Sequence, residues 1–341
     1  MRATIPALSL LLLPAADLSI DYTAERSLEV SIETEITSET THMSMEIDGE
    51  PMEGGGRWGG GGGSEYTSEV VFTETYLEHD DGAPTKVRRS FDTVEATRTT
   101  MRGEESMDMD AESPMEDVTL IITLDDGEVV AEVDDGEAER SEMLVGHRIE
   151  NLLHGLLPNG DDESWEPEGE AVLAALLIDL DGALFPPPEF EEGDGERGRG
   201  GRGRSMMRGG SPLGFLREAE WDTEASLTDR TEDVDGVDCL VIELTLEADG
   251  DMPERQFGRG GRDRALSLAP TERMLDNTFE IELTGYLYFS TEEHRPVMLE
   301  LEGEFIQETL TERDTQRGSF RMERTQESTL EHTITLTSED A

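Results

Sequence analysis

The chain has 341 residues, with 27 basic and 81 acidic side chains and a formal net charge of −54. No run of about 18 uncharged apolar residues occurs, so an ordinary transmembrane helix is excluded. The single cysteine, Cys239, excludes an internal disulfide framework and a four-cysteine zinc site, and a chain this acidic repels nucleic acid as a whole.

Apolar residues make up 35% of the chain, and low hydrophobicity with high charge pushes toward disorder. The apolar residues nevertheless alternate in long runs, which a disordered chain does not need. The expectation is a folded, β-rich body with thin cores. Its carboxylates repel one another, and salt screens that repulsion, with a Debye length of roughly 8 Å at physiological strength and about 3 Å at 1 M. Lys86 is the one lysine. That near-absence of lysine beside so much Asp and Glu fits salty surroundings, and fits equally a GC-rich genome drifting toward Arg, Gly and Glu.

Met1-Arg2 precedes an apolar stretch from Ile5 to Leu13, and then Pro14-Ala15-Ala16-Asp17. One positive charge, a short apolar core and small residues before a polar start read as a secretory signal over 1–16, cut after Ala15 or Ala16. The expected location is therefore exported: periplasm, cell envelope or extracellular space.

An N-terminal β block is expected over 17–138. Leu28, Val30, Ile32 and Ile36 share one parity and Glu29, Ser31, Glu33 and Glu35 the other, the mark of a strand with one wet face. Met43, Met45 and Ile47 continue on the opposite parity, so that strand bends or bulges before them. Further strands are read around Tyr66–Tyr76 and Val87–Thr99. Val118–Leu124 meets Val129–Val133 across Asp125-Asp126-Gly127, a short hairpin signal.

The period changes over 139–188. Met143 to Leu157 and Glu168 to Asp179 carry helical spacing, ended by Pro158-Asn159-Gly160 and by Pro186-Pro187-Pro188. A Gly/Arg-rich segment at 189–212 reads as a disordered loop. A C-terminal β block is expected over 213–341, with strands at Val237–Leu246, Phe279–Tyr288, Val297–Phe305 and Met322–Leu336. Long runs joined by short turns favour one antiparallel sheet, so 17–341 is expected to form one composite domain. The fold class is mainly β (α+β): a long curved antiparallel sheet or half-barrel built from two β blocks, with the central helices packed on one face.

Candidate sites are few. Asp-Gly turns such as Asp80-Asp81-Gly82, Asp125-Asp126-Gly127, Asp233-Val234-Asp235-Gly236 and Asp249-Gly250-Asp251 offer carboxylates to calcium. None fits the twelve-residue calcium loop, and Asp and Gly are what β-turns require. Two Arg/Gly stretches (Arg197, Arg199, Arg202, Arg204 and Arg208; Arg255, Arg259, Arg262 and Arg264) lack interleaved stacking aromatics apart from Phe257, so no nucleic-acid partner is expected. Of the six histidines only His147 and His154 come close in helical register. No metalloprotease His pair, nucleophile elbow or phosphate-binding loop occurs, and no catalytic residue, metal site or cofactor is expected. Cys239 reads as a small buried hydrophobe. Leu152, Leu156, Leu173 and Leu177 belong to an apolar surplus in the central segment. They either plug the sheet or line a cavity for an apolar ligand.

Four stretches carry a resemblance: Asp17-Leu18-Ser19-Ile20-Asp21-Tyr22; Leu156-Leu157-Pro158 followed by Glu163-Ser164-Trp165; Val234-Asp235-Gly236-Val237; and Phe279 to Gly285 ahead of an aromatic strand. Together they resemble a family of uncharacterised exported bacterial proteins, a domain of unknown function with long Thr- and Glu-rich strands. That resemblance implies export and carries no activity. The layout is also similar to half-barrel carriers of lipids and lipoproteins, which implies an apolar cargo. The leading expectation is thus a secreted or periplasmic, non-catalytic binding or carrier protein for an apolar or lipid-like ligand. The alternatives are an acidic structural or envelope-surface protein, adapted to salt or with cations condensed on its surface, and an enzyme of unrecognised type.

Overall fold

The computed structural model describes residues 17–22, 27–51, 62–80, 82–102, 105–136, 141–158, 160, 162–186, 211–252, 272–315 and 318–338. The signal segment, most of 189–212 and the second Arg/Gly stretch lie outside them. The first half supplies strands β1 (Ser27–Ile47), β2 (Glu50–Pro51), β3 (Gly63–Asp80), β4 (Ala83–Arg102), β5 (Glu105–Glu112), β6 (Thr119–Asp125) and β7 (Glu128–Asp135). The middle supplies β8 (Ser164–Trp165) and two short helices, α1 (Gly169–Ala175) and α2 (Asp181–Leu184). The second half supplies β9 (Glu220–Val234), β10 (Val237–Asp251), β11 (Glu272–Ser290), β12 (Arg295–Thr315) and β13 (Gly318–Ser338).

These strands form one open antiparallel sheet in the order β7-β6-β4-β3-β1-β13-β12-β11-β10-β9-β8, with β2 on β1 and β5 on β4. The two β blocks meet where the first long strand pairs with the last, from Leu28 opposite Ser338 to Ile47 opposite Phe320. The mainly β class and the large antiparallel sheet stand as read from the alternation. The parity change in β1 is a register shift between Thr40 and His42, as the swap from Ile36 to Met43 requires. Asp125-Asp126-Gly127 and Asp233-Val234-Asp235-Gly236 are tight hairpin turns. Asp126 and Asp235 precede Gly127 and Gly236, all four at positive φ, the geometry that matches the twist of the flanking strands. Asp249-Gly250-Asp251 instead lies inside β10.

One face of the sheet is apolar from β6 to β10, with Leu120, Val94, Phe72, Ile32, Ile334, Leu299, Leu283 and Leu244 all buried in one cluster. Two glycines on this face let β11 and β12 close on each other. A Cβ on Gly285 would lie 1.9 Å from the Glu300 carbonyl oxygen, and one on Gly303 2.0 Å from that of Glu282. Only glycine allows a neighbouring backbone to approach this closely inside a strand. This apolar face is covered mainly by the segment between the two β blocks.

Candidate functional site

The cover runs from Ser141 to Pro186 and is less helical than its spacing predicts. Over 143–157 it forms two 3₁₀ turns, Ser141–Leu144 and His154–Leu156, rather than a helix. The reasons are local. Gly146 sits at φ +85°, and a Cβ there would lie 2.3 Å from the Asp179 carbonyl oxygen. The His147 ring takes the Met143 carbonyl, at 2.8 Å, which the His147 backbone N–H would bond in an α-helix. The Asn151 side chain accepts from the Leu153 N–H at 2.9 Å, an Asx turn that competes with helix.

The second expected helix is real but breaks early. α1 closes with Ile178 N–H bonding the Leu173 carbonyl and Leu177 N–H bonding that of Ala174. This is a Schellman cap in which the left-handed residue is Leu177, at φ +56°, where glycine is usual. A non-glycine residue there costs about 1–2 kcal/mol. The backbone bears that cost while placing a leucine side chain in the core.

Leu152, Leu156, Leu173 and Leu177 are all buried in the same apolar cluster as the inner sheet face. Gly155 and Ala171 explain how the two parts of the cover pack so closely. A Cβ on Gly155 would lie 2.6 Å from that of Ala171.

The cover is also held by polar groups, and these lie on inward-facing positions of the strands. Arg89 (β4) and Glu74 (β3) face each other in register and are fully buried. Arg89 Nε donates to Glu74 Oε1 at 3.0 Å, and a second guanidinium nitrogen bonds the same carboxylate. The Tyr76 hydroxyl donates to Glu74 Oε2 at 3.1 Å. The guanidinium lies 5.0 Å from the Phe72 ring centroid. Its remaining donors reach the cover, at the Arg148 carbonyl (3.2 Å) and His147 Nδ1 (3.2 Å). Because Arg89 can only donate, His147 Nδ1 accepts and Nε2–H donates to Met143. Burial, then the neighbouring guanidinium, pushes the His147 pKa down to about 4.

A second histidine joins cover and sheet on the other β block. His332 (β13) is buried and stands opposite Thr34 (β1) in register. Its Nε2 donates to the Ala175 carbonyl at the end of α1 (2.8 Å), and Nδ1 meets the Thr34 hydroxyl at 2.9 Å. Burial lowers its pKa to about 4. Beyond these two, Tyr22 meets His154 Nδ1 at 3.1 Å, and Trp165 Nε1 donates to the Leu156 carbonyl at 2.9 Å. Glu74, Arg89 and His332 do not stand out among the candidate residues of the sequence. Each is a polar residue on the apolar parity of its strand, and that was the available signal.

The opposite face carries rows of carboxylates and threonines, apart from a small apolar cluster of Val234, Cys239, Val241, Tyr288 and Val297. Glu302, Glu331 and Glu35 stand side by side across β12, β13 and β1. Glu33, Glu69 and Glu95 do so across β1, β3 and β4. Neighbouring strands are about 4.8 Å apart, and like charges placed directly opposite are destabilising. A depression of about 380 Å³ on this face is lined by Glu33, Glu35, Glu69, Glu95 and Glu331 among others. Among the described residues no group of three or more His, Cys, Asp or Glu is placed to hold a metal ion. Cys239 is buried, and burial raises its thiol pKa to about 11.

No family model matches the chain, and no curated protein does. Among solved structures it is similar to the outer membrane protein OprG from Pseudomonas aeruginosa, at 7% identity over 92% of this chain and 97% of that one, with a TM-score of 0.21. That score is far below the level that marks a shared fold. No helix among the described residues is long and apolar enough to cross a membrane.

Proposed function

We propose that the protein is an exported, non-catalytic binding or carrier protein, and that its inner sheet face takes an apolar or lipid-like ligand. The supporting observation is the mismatch between that face and its cover. A continuous apolar surface spans most of the sheet. What covers it among the described residues is neither a second sheet nor long helices but mainly the 141–186 segment, whose described α-helices have seven and four residues, joined by Leu18, Tyr22, Leu213, Phe215 and Leu216. A cover of this kind can part from the sheet without breaking a strand ladder, and hydrophobic clefts are where small apolar ligands bind. Leu152, Leu156, Leu173 and Leu177 form the cover's contribution to the ligand surface.

Titration of the mature protein with a fluorescent long-chain fatty acid tests this reading. Saturable uptake, competed by unlabelled fatty acid and reduced by Leu152→Phe and Leu173→Phe at unchanged circular dichroism, is the expected result. Absence of saturable uptake by the folded protein would overturn it.

A second reading is favoured by the registered rows of glutamates on the outer face. It assigns the protein a structural or surface role in salt, with cations condensed on the carboxylates. Assembly that depends on salt or calcium and proceeds without any apolar ligand, followed by light scattering, would support it.

A further inference from the structure

We propose that the cover is acid-released: His147 and His332 are two latches that hold it on the inner face only while both rings are neutral. His147 joins the segment to β4 through Arg89, whereas His332 holds the end of α1 from β13, in the other β block, while it meets Thr34 on β1. In each ring Nε2–H donates to a carbonyl of the cover, leaving Nδ1 to accept from the sheet side.

The surroundings make protonation costly. His147 faces the Arg89 guanidinium from β4, the Phe91 ring at 6.1 Å and the Met143 carbonyl of its own segment. The carboxylate of Glu74, from β3, is already taken up by Arg89 and Tyr76. Arg148, next along the cover, turns to Asp179 at 2.8 Å. A proton on Nδ1 of His147 therefore removes the acceptor of a buried guanidinium and sets a second cation against it. His332 faces neutral groups: the Thr34 hydroxyl, the Ala175 carbonyl and, in register on β12, Leu301. A charge there is buried without a counterion. His154, at the rim, lies on Tyr22, and its pKa is lowered by burial against the opposing pull of Glu150.

Both latch rings have pKa values of about 4 in the closed state against 6.5 for a free imidazole. Their contribution to closure is complete above pH 6.5 and is lost as pH falls through 4. At pH 4.5 each shifts the open-to-closed ratio by roughly 60-fold relative to pH 7.

The inference rests on the inner face being the ligand surface only for its purpose. The latch is tested without ligand, by amide hydrogen exchange of the mature protein at pH 7 and 4.5, corrected for intrinsic rates. The expected result is a loss of protection of about tenfold or more in 147–157 and 171–184, with β1 and β13 still protected. The double variant H147Q/H332Q, which keeps a neutral donor at each place, should hold its pH 7 protection at pH 4.5. Should the double variant fold poorly, H332Q alone should halve the shift on a logarithmic scale. Equal opening in wild type and variants, simultaneous loss of protection in cover and sheet, or no opening at all would each overturn the latch. Opening as expected, but with no uptake of the fluorescent fatty acid at pH 4.5, would support the latch and remove the carrier reading.

Discussion

The inner and outer faces of this sheet are made by the same strands and do opposite things to stability. On β1, Val30, Ile32 and Ile36 face the cover and are buried, while Glu33 and Glu35, one residue away, stand in register with Glu69 and Glu331. Inward burial stabilises at roughly 25 cal/mol per Å² of apolar area. The outward glutamate neighbours oppose one another at about 0.2–1 kcal/mol per directly opposed pair. The fold thus rests mainly on the inner side of the sheet, with a small second cluster of Val234, Cys239, Val241, Tyr288 and Val297, and the glutamate rows outside modulate it through salt. The few charges on the inner side behave differently from the many outside, because they are desolvated and individually paired.

That contrast can be broken most forcefully at the buried ion pair. Arg89→Ala leaves Glu74 buried and unpaired and should cost about 3–5 kcal/mol in urea unfolding. The double replacement Arg89→Met with Glu74→Leu should recover most of that loss; equal destabilisation by the double variant would show that the pair does more than satisfy itself. Gly285→Ala comes next. Its Cβ meets the Glu300 backbone, and a loss of about 1–3 kcal/mol is expected, read as a lower thermal midpoint. At Leu177 the two smallest replacements should fall in an unusual order. Both lose apolar contact, but Leu177→Gly should be more stable than Leu177→Ala by about 1 kcal/mol, because only glycine adopts positive φ without strain.

The smallest single-site effect is expected outside. Glu331→Thr removes the middle carboxylate of the Glu302–Glu331–Glu35 row and should stabilise by about 0.2–1 kcal/mol at low salt, fading in molar salt. The melting temperature of the unmodified protein should itself rise steeply between low and molar salt. A flat response would mean that the outer lattice carries little net repulsion.

Much of the sheet was legible because strand periodicity survives any number of surface charges. Leu28 to Ile36 and Leu330 to Leu336 mark the two paired strands, and the parity swap before Met43 marks the register shift. β5 was not legible: Glu105–Glu112 alternates Met with Asp at the sheet margin and buries little. The cover was misread over 143–157 because apolar spacing reports a buried face but not backbone conformation. There Gly146, the His147 ring and the Asn151 side chain replace the bonds of a helix. The buried polar contacts were hidden by composition. Nearly a quarter of the chain is acidic, so Glu74 attracts no notice until parity places it between Phe72 and Tyr76, opposite Arg89.

The claim that joins these parts is that the inner face is a ligand surface under a removable cover. Native mass spectrometry of the protein, purified without detergent, tests it most directly. A fraction carrying a bound species of lipid-like mass, depleted by Leu152→Phe and Leu173→Phe, is the predicted result. A bare polypeptide mass throughout, unchanged after incubation with fatty acid or phospholipid, would contradict the account and leave the segment as a permanent core.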